Sequence, residues 1–476
     1  MARRLNLASS RYRADERSEP PVPQAESRPT IRRPRHLLGR LFHALSRTTN
    51  ERRARGRSGI EQLVGLCRAL LSERGEVSGA RRAIRVLEEY GRLDDSGVDQ
   101  FFDRLVQDFS PDAEAVHRAA EAYATDSSQL NLVQLQRAVE PPRQELFRRF
   151  NMAPGATAVL VQMRQRLLET LPSHPERAGV DADLAHLFRS WFNRGFLVLE
   201  RIDWRTSALV LERLIEYEAV HQIQGWPDLR RRLAADRRCY AFFHPAMPDE
   251  PLIFIEVALT RGLATRVQPL LNPEADILDP ADTDCAVFYS ITNCQDGLRG
   301  VSFGNFLIKQ VAEDLGDEFP RLKTFATLSP VPGFTKWLRS GADVLQGQIS
   351  PKLASLLDHL DREAPIDQQA VPENLRTRIC ALCAYYLLHA KHGREPLDPV
   401  ARFHLANGAS LERLNWLGDT SPAGLKRSLG LMVNYVYRLA DVEKNHEAYA
   451  RQYRIAASGA FERLVKPVFR ASGESA

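Results

Sequence analysis

The sequence has few of the residues and patterns that mark a secreted, membrane-spanning or metal-dependent protein. Only six of its 476 residues are cysteine, and their spacing forms no disulfide framework, which favours a reducing interior. No uninterrupted apolar run approaches the ~18 residues that a membrane-spanning helix needs. The histidines show no HExxH spacing, and the only CxxC motif, Cys380 to Cys383, lies in an apolar helical run. We therefore expect no metal or other cofactor, and we interpret the CxxC motif as core packing.

The charge is too small and too local for a nucleic-acid-binding protein. There are 65 Lys and Arg residues against 60 Asp and Glu residues, and the net charge of +5 is concentrated near the N-terminus. A mild positive charge suits an anionic small-molecule substrate. The length of 476 residues and the hydrophobic share of 44% predict a soluble globular protein of two or three domains.

Three regions follow one another along the chain. Residues 1–35 are rich in Arg, Pro, Ser and Glu, which predicts a disordered leader. Residues 36–192 carry apolar stripes at helical spacing, which predicts a helical bundle with a binding or assembly role. Strand patterns begin near Gly195, so residues 193–476 are predicted to form an α/β catalytic domain with additional C-terminal helices. The fold class is α+β and multidomain.

Neither end of the chain carries a convincing cellular address. The arginines of the leader are typical of a mitochondrial presequence, but its acidic residues and prolines oppose an amphipathic helix. The last four residues are Gly-Glu-Ser-Ala, which is not the peroxisomal Ser-Lys-Leu signal. We expect a cytoplasmic protein, with the mitochondrial matrix as the alternative.

The stretch from Ala286 to Phe334 is the most informative one. An apolar, β-branched run predicts a strand over 286–292, and a turn with three glycines then leads into an amphipathic helix that ends before Pro320. The N-terminus of such a helix suits phosphate oxygens, because it collects free backbone N–H groups and the positive end of the helix dipole. The spacing of Gly297, Gly300 and Gly304 fits neither a Walker A loop nor GxGxxG. From spacing alone, phosphate binding and an ordinary turn are equally supported.

The segments around this stretch give the remaining structural predictions. A second strand is predicted over 324–329, and Glu256 lies in a third strand, where we expect it to be hydrogen-bonded rather than catalytic. After Gly333 the pattern predicts helices over 353–360, 375–390, 411–416 and 425–439.

These motifs resemble two related groups of proteins. The run GLRGVSFGNFLI resembles the pyrophosphate-binding loop of the GNAT acyltransferase superfamily. The longer run FYSITNCQDGLRGVSFGNFLIK, followed by LSPVPGFTKWL, resembles the malonyl-CoA decarboxylase family, which has a GNAT-like fold. The resemblance implies a loop that binds the CoA pyrophosphate and consists of Arg299, Gly300, Val301, Ser302, Phe303, Gly304 and Asn305.

The same resemblance implies three catalytic residues. Ser329 lies in LSPVPGF, which matches the family motif with the catalytic serine, and His404 lies in a run similar to that around the catalytic histidine. Tyr437 matches the second tyrosine of a family run, although an aromatic pair on a helix more often belongs to a core. Ser290, Gln295 and neighbouring Asn293 are weaker candidates for the acyl end of the pocket.

The chemistry that the resemblance implies needs only a hydroxyl and a histidine. Loss of carbon dioxide from malonyl-CoA leaves an enolate, which must be stabilised and protonated at the α-carbon to give acetyl-CoA. The family also implies an oligomer, a dimer of dimers. Two other functions stay open: a GNAT-like N-acyltransferase that uses an acyl-CoA, and a non-catalytic acyl-CoA sensor.

Overall fold

The computed structural model describes residues 49–301, 303, 307–340, 350–361, 371–466 and 468. The predicted leader, residues 1–35, lies outside these residues. The part from residue 55 onwards forms one compact unit.

The region before the first strand is helical, as predicted. Three of its helices begin at residues that cap the first turn: the side chains of Asp94, Asp112 and Ser128 each accept a hydrogen bond from a backbone N–H. The described helices are α1 (Thr49–Leu71), α2 (Glu76–Gly91), α3 (Asp95–Asp108), α4 (Ala113–Thr125), α5 (Gln129–Val139), α6 (Pro142–Phe150), α7 (Ala156–Thr170) and α8 (Ala178–Trp191).

A mixed sheet follows, and among the described residues it has eight strands in the order β1-β2-β3-β4-β5-β10-β6, with β9 paired to β10. Only the β4–β5 pair in this sheet is parallel. The strands are β1 (Val198–Ile202), β2 (Arg237–Phe243), β3 (Ile253–Thr260), β4 (Cys285–Asn293), β5 (Thr324–Thr327), β6 (Ser329–Pro330), β9 (Ser410–Asn415) and β10 (Met432–Val436). A separate hairpin joins β7 (Lys391–His392) and β8 (Glu395–Pro396).

The two parallel strands separate beyond their first four residues. Pairing between β4 and β5 runs from Cys285 to Phe288, and the backbone N–H of Leu328 still donates to the carbonyl of Phe288. Beyond that point β4 continues beside β3 as far as Asn293, whereas Ser329 is paired with Val433 of β10. A gap therefore opens between the strands next to Ser329.

Helices cover both faces of the sheet. On one face Ile255, Phe288 and Phe325 pack into the large core that includes the N-terminal helices, and on the other Phe254 and Ala258 belong to two smaller clusters. The described helices after β1 are α9 (Ala208–Tyr217), α10 (Trp226–Arg232), α11 (Gln268–Leu271), α12 (Leu307–Glu318), α13 (Phe334–Leu338), α14 (Pro351–Asp361), α15 (Glu373–His389), α16 (Pro399–Ala406), α17 (Pro422–Ser428), α18 (Val442–Gln452) and α19 (Gly459–Arg463).

Two of the predicted helices were wrong. Residues 411–415 of the first lie in strand β9, and the helix predicted over 425–439 is divided into the end of α17 and strand β10. Leu429 and Gly430 have φ of 55° and 76°, so the chain turns out of the helix there. All five residues of β10 are buried, and a strand without an exposed face lacks the alternation that distinguishes it from a buried helix.

The carboxylate of Glu256 in the sheet is hydrogen-bonded, as the sequence predicts. Glu256 is buried and accepts a hydrogen bond of 2.7 Å from Arg232, although burial raises its pKa to about 8.

The six cysteines form no disulfide; five are buried, Cys380 is half-buried, and burial raises the pKa of every thiol. In the part of the chain that the structure describes, no helix is long and apolar enough to cross a membrane.

Candidate active site

Ser329 lies at the edge of the gap between β4 and β5. Its position in β6 is fixed by antiparallel pairing with Val433, and only 6% of its surface is exposed. The hydroxyl donates to Thr327 Oγ1, 2.8 Å away, and lies 3.0 Å from His404 Nε2. Thr327 also accepts a hydrogen bond from the backbone N–H of Tyr435, so a neighbouring strand holds the serine's partner in place.

His404 reaches the same point from α16. The N-terminus of this helix is capped by Asp398, whose carboxylate accepts from the backbone N–H of Ala401 at 2.9 Å. Burial raises the pKa of Asp398 to about 6, against the effect of hydrogen bonds from the amides of Ala401 and Gly333. Gly333 follows Ser329 by four residues, so one buried carboxylate contacts both the histidine's helix and the serine's segment.

Tyr437 completes the group from the chain just after β10. Its hydroxyl lies 2.8 Å from His404 Nδ1, and its backbone N–H donates to the carbonyl of Phe325. The ring is 1% exposed, and burial raises the pKa of the phenol well above its usual value. It follows a strand, not the helix that the sequence pattern predicted, and its hydroxyl contacts His404.

The three side chains form a continuous row of hydrogen bonds from Ser329 through His404 to Tyr437. When the serine donates to Thr327, a neutral imidazole must carry its proton on Nε2 and accept the tyrosine proton at Nδ1. Turning the serine hydroxyl toward Nε2 requires the opposite tautomer. The row is therefore able to pass a proton along its length.

The surroundings of His404 keep its imidazole neutral. The ring is 3% exposed and stacks on Tyr435, with centroids 4.5 Å apart and an angle of 29° between the planes. Burial lowers the pKa of His404 to about 3, because the charged form loses its hydration there.

The glycine-rich loop lies before α12, as predicted. Arg299 and Gly300 are exposed, and Gly300 has a φ of 77°, which favours glycine. Val301 and Phe303 are 7% and 9% exposed and belong to the main core, so these two face the protein interior. Ser302, Gly304 and Asn305 lie outside the described residues.

Comparison with known proteins identifies the family. The profile of the malonyl-CoA decarboxylase C-terminal domain matches residues 195–474, more than half of the chain, and the profile of the N-terminal domain of the same family matches residues 109–192. The chain belongs to the malonyl-CoA decarboxylase family.

Relatives in this family share most of the chain. Mitochondrial malonyl-CoA decarboxylase of the goose Anser anser anser is 34% identical over 450 residues, which cover 85% of this chain and 88% of the relative. The malonyl-CoA decarboxylase structure from Rhodopseudomonas palustris is 50% identical with a TM-score of 0.80, and the one from Agrobacterium vitis is 49% identical with a TM-score of 0.78. Each match covers 85% of this chain and 99% of the solved chain.

Membership of the malonyl-CoA decarboxylase family does not reveal every residue at this site. Thr327 was missed, although it lies two residues before Ser329 on an extended segment, where alternate side chains share a face. Tyr435 was noticed only as one of an aromatic pair, because its stacking on His404 depends on long-range contacts.

The weaker pocket candidates are engaged elsewhere. Ser290 donates to the Glu218 carboxylate at 2.8 Å, and the Gln295 amide donates to the carbonyl of Pro251. Asn293 is exposed at the end of β4. The structure therefore does not bring Ser290 or Gln295 into the hydrogen-bonded row.

Proposed function

We propose that this protein converts malonyl-CoA to acetyl-CoA and carbon dioxide without a cofactor, with Ser329, His404 and Tyr437 as catalytic residues. The observation that carries the proposal is the buried row in which His404 bonds Ser329 through Nε2 and Tyr437 through Nδ1. Among the described residues, no cluster of three or more acidic, histidine or cysteine side chains is arranged to hold a metal ion.

The reaction begins with the substrate's own carboxylate. A thioester that binds in the gap beside Ser329 has its malonyl group in a buried site. The same burial lowers the pKa of His404. A carboxylate loses hydration there, whereas in the transition state its charge is shared between the departing carboxyl group and the forming enolate and therefore depends less on hydration. The electron pair of the broken carbon–carbon bond enters the enolate.

Protonation of the α-carbon completes the reaction. Ser329 supplies the proton, the Nε2–H of His404 replaces it, and the Tyr437 hydroxyl passes its proton to Nδ1, so that the imidazole stays neutral. Uptake of one proton from solvent closes the cycle. The loop residues Arg299, Gly300, Val301, Ser302, Phe303, Gly304 and Asn305 bind the CoA pyrophosphate, for which backbone N–H groups are suitable donors.

Release of carbon dioxide from malonyl-CoA by the purified protein tests this function. We expect Ser329→Ala and His404→Asn each to lower kcat about 10²–10⁴-fold, since each removes a link of the proton path. Consumption of acetyl-CoA with an amine, with malonyl-CoA untouched, would instead support an N-acyltransferase. Binding of malonyl-CoA without turnover would support a sensor.

We also propose an assembly and a location. The protein forms a dimer of dimers through its helical region, where α4 and α5 contain no buried residue and Leu130 is 67% exposed.

The goose relative is named mitochondrial, but the bacterial relatives are more similar, which supports the cytoplasm over the mitochondrial matrix. Fractionation of the native cells checks the location.

A further inference from the structure

A buried arginine of the helical region holds the glycine-rich loop through hydrogen bonds. Arg164 of α7 is 4% exposed, and its Nη1 donates to two loop carbonyls, those of Gly297 at 2.8 Å and Arg299 at 2.9 Å. Its Nε donates to Asp181 of α8, also at 2.8 Å. The guanidinium is thus held by one helix of the bundle and bound to the loop by two hydrogen bonds.

A close backbone contact adds to these hydrogen bonds. A Cβ atom at Gly297 would lie 1.9 Å from the carbonyl oxygen of Val161, which belongs to α7 three residues before Arg164. Residues three apart share a face of a helix. One face of α7 therefore both touches the loop and binds its carbonyls.

This arrangement determines which way the N–H of Gly300 points. The peptide bond between Arg299 and Gly300 is trans, so its N–H points opposite to its carbonyl. Because that carbonyl is directed at Arg164, the N–H of Gly300 points away from the helical region. Gly300 itself is exposed and has the positive φ that this turn requires.

We propose that Arg164 is a positioning residue for substrate binding: by holding the carbonyls of Gly297 and Arg299, it fixes the turn so that the N–H of Gly300 is directed toward the CoA pyrophosphate. The inference rests on the proposed function, and it gives the helical region a role in CoA binding. Arg164 touches the loop and not the reacting atoms, so its contribution appears in binding.

A pair of substrates tests this role. Malonyl-pantetheine keeps the reacting thioester but lacks the phosphates that the loop would bind. In Arg164→Met, we expect KM for malonyl-CoA to rise about tenfold, since a hydrogen-bonded charged group that orders the loop is lost. We expect kcat for malonyl-CoA and KM for malonyl-pantetheine to stay within about twofold of the wild type. Arg164→Lys should recover part of the loss.

The matched control is Arg166→Met on the same helix, since Arg166 bonds Glu169 at 3.3 Å instead of the loop. Its kinetics should equal those of the wild type. An equal rise of KM for both substrates in Arg164→Met, or a loss confined to kcat, overturns the positioning role and leaves a purely structural one.

A second variant decides the matter if Arg164→Met does not fold. Asp181→Ala keeps the guanidinium but removes the carboxylate that orients it, so a smaller rise in KM for malonyl-CoA alone is expected. An unchanged KM overturns the proposal. Failure of the wild type to release carbon dioxide is a different result, which rejects the proposed function.

Discussion

Two buried tyrosines beside His404 differ at the level of a single atom. The hydroxyl of Tyr437 bonds His404 Nδ1, whereas that of Tyr435 has no hydrogen-bond partner among the described residues. Tyr437→Phe leaves Nδ1 unpaired, so we expect kcat to fall about 10–100-fold, the equivalent of one lost buried hydrogen bond. Tyr435→Phe keeps the ring that stacks on His404 and should leave kcat within about twofold. Steady-state carbon dioxide release checks both, and equal losses would contradict the assigned contacts.

The lowered pKa of His404 has a consequence for stability. The unfolded chain binds a proton at this histidine below pH about 6.5, but the folded state keeps it neutral until pH approaches about 3. The free energy of unfolding therefore falls as pH decreases from 6.5 toward 3, on the order of 3 kcal/mol at pH 4 from this group. Urea unfolding of the wild type and His404→Gln between pH 7 and pH 4 measures it. The wild type should lose more stability than the variant, and parallel curves would refute the shift.

The catalytic candidates were predictable because short runs around Ser329, His404 and Tyr437 resemble a known family. Arg164 was not, since the loop carbonyls that it binds lie 133 and 135 residues further along the chain. A buried arginine on an amphipathic helix reveals nothing about its partner until the chain is folded. Local patterns therefore pointed to the residues of the hydrogen-bonded row and missed the arginine that binds the loop carbonyls.

At the scale of secondary structure elements, replacing either of two glycines next to the sheet by alanine is expected to change the stability in opposite directions. Gly297→Ala places a methyl group 1.9 Å from a backbone oxygen of α7, which cannot move aside. We expect it to lower the free energy of unfolding by about 1–3 kcal/mol, typical of overpacking. Gly316→Ala lies within α12, and its Cβ meets only Phe325 at an ordinary 3.7 Å. It should raise stability by about 0.5–1 kcal/mol through helix propensity.

Chemical denaturation of both glycine variants checks this pair. Equal stability of Gly297→Ala and the wild type would mean that the loop and α7 do not touch.

The elements themselves were predictable where the pattern was clear: β4, α12, α14 and α15 are close to their predicted bounds. Strand β10 was not, because burial on all sides removes the polar–apolar alternation and only Gly430 signals the turn. Strand β9 was not, because its apolar residues Leu411 and Leu414 are three residues apart, which is a helical spacing.

For the whole molecule, the division into a helical domain and a catalytic domain stays a prediction. The two family profiles meet between residues 192 and 195, yet one hydrophobic core includes Leu160 of the helical region and Phe288 of the sheet. Sequence patterns indicate where helices give way to strands. They do not indicate that the two regions share a core, because that depends on which faces meet.

The proposed assembly is tested at the apolar surface of α4 and α5. Leu130 and Val139 are 67% and 46% exposed, and burial against another copy would remove this area from water. We expect the double variant Leu130→Glu, Val139→Glu to lower the molar mass measured by light scattering. Ile277→Glu, at a 58% exposed position in the sheet region, is the control and should leave the mass unchanged. A monomeric wild type would reject the assembly.

The buried cysteines can report on local opening of the folded chain. Alkylating reagents attack thiolates, and all six sulfur atoms here are largely shielded and hold their protons tightly. Modification of the native protein must wait for a segment to open and expose its sulfur. The order in which the six positions acquire label therefore ranks the parts of the molecule by how readily each opens.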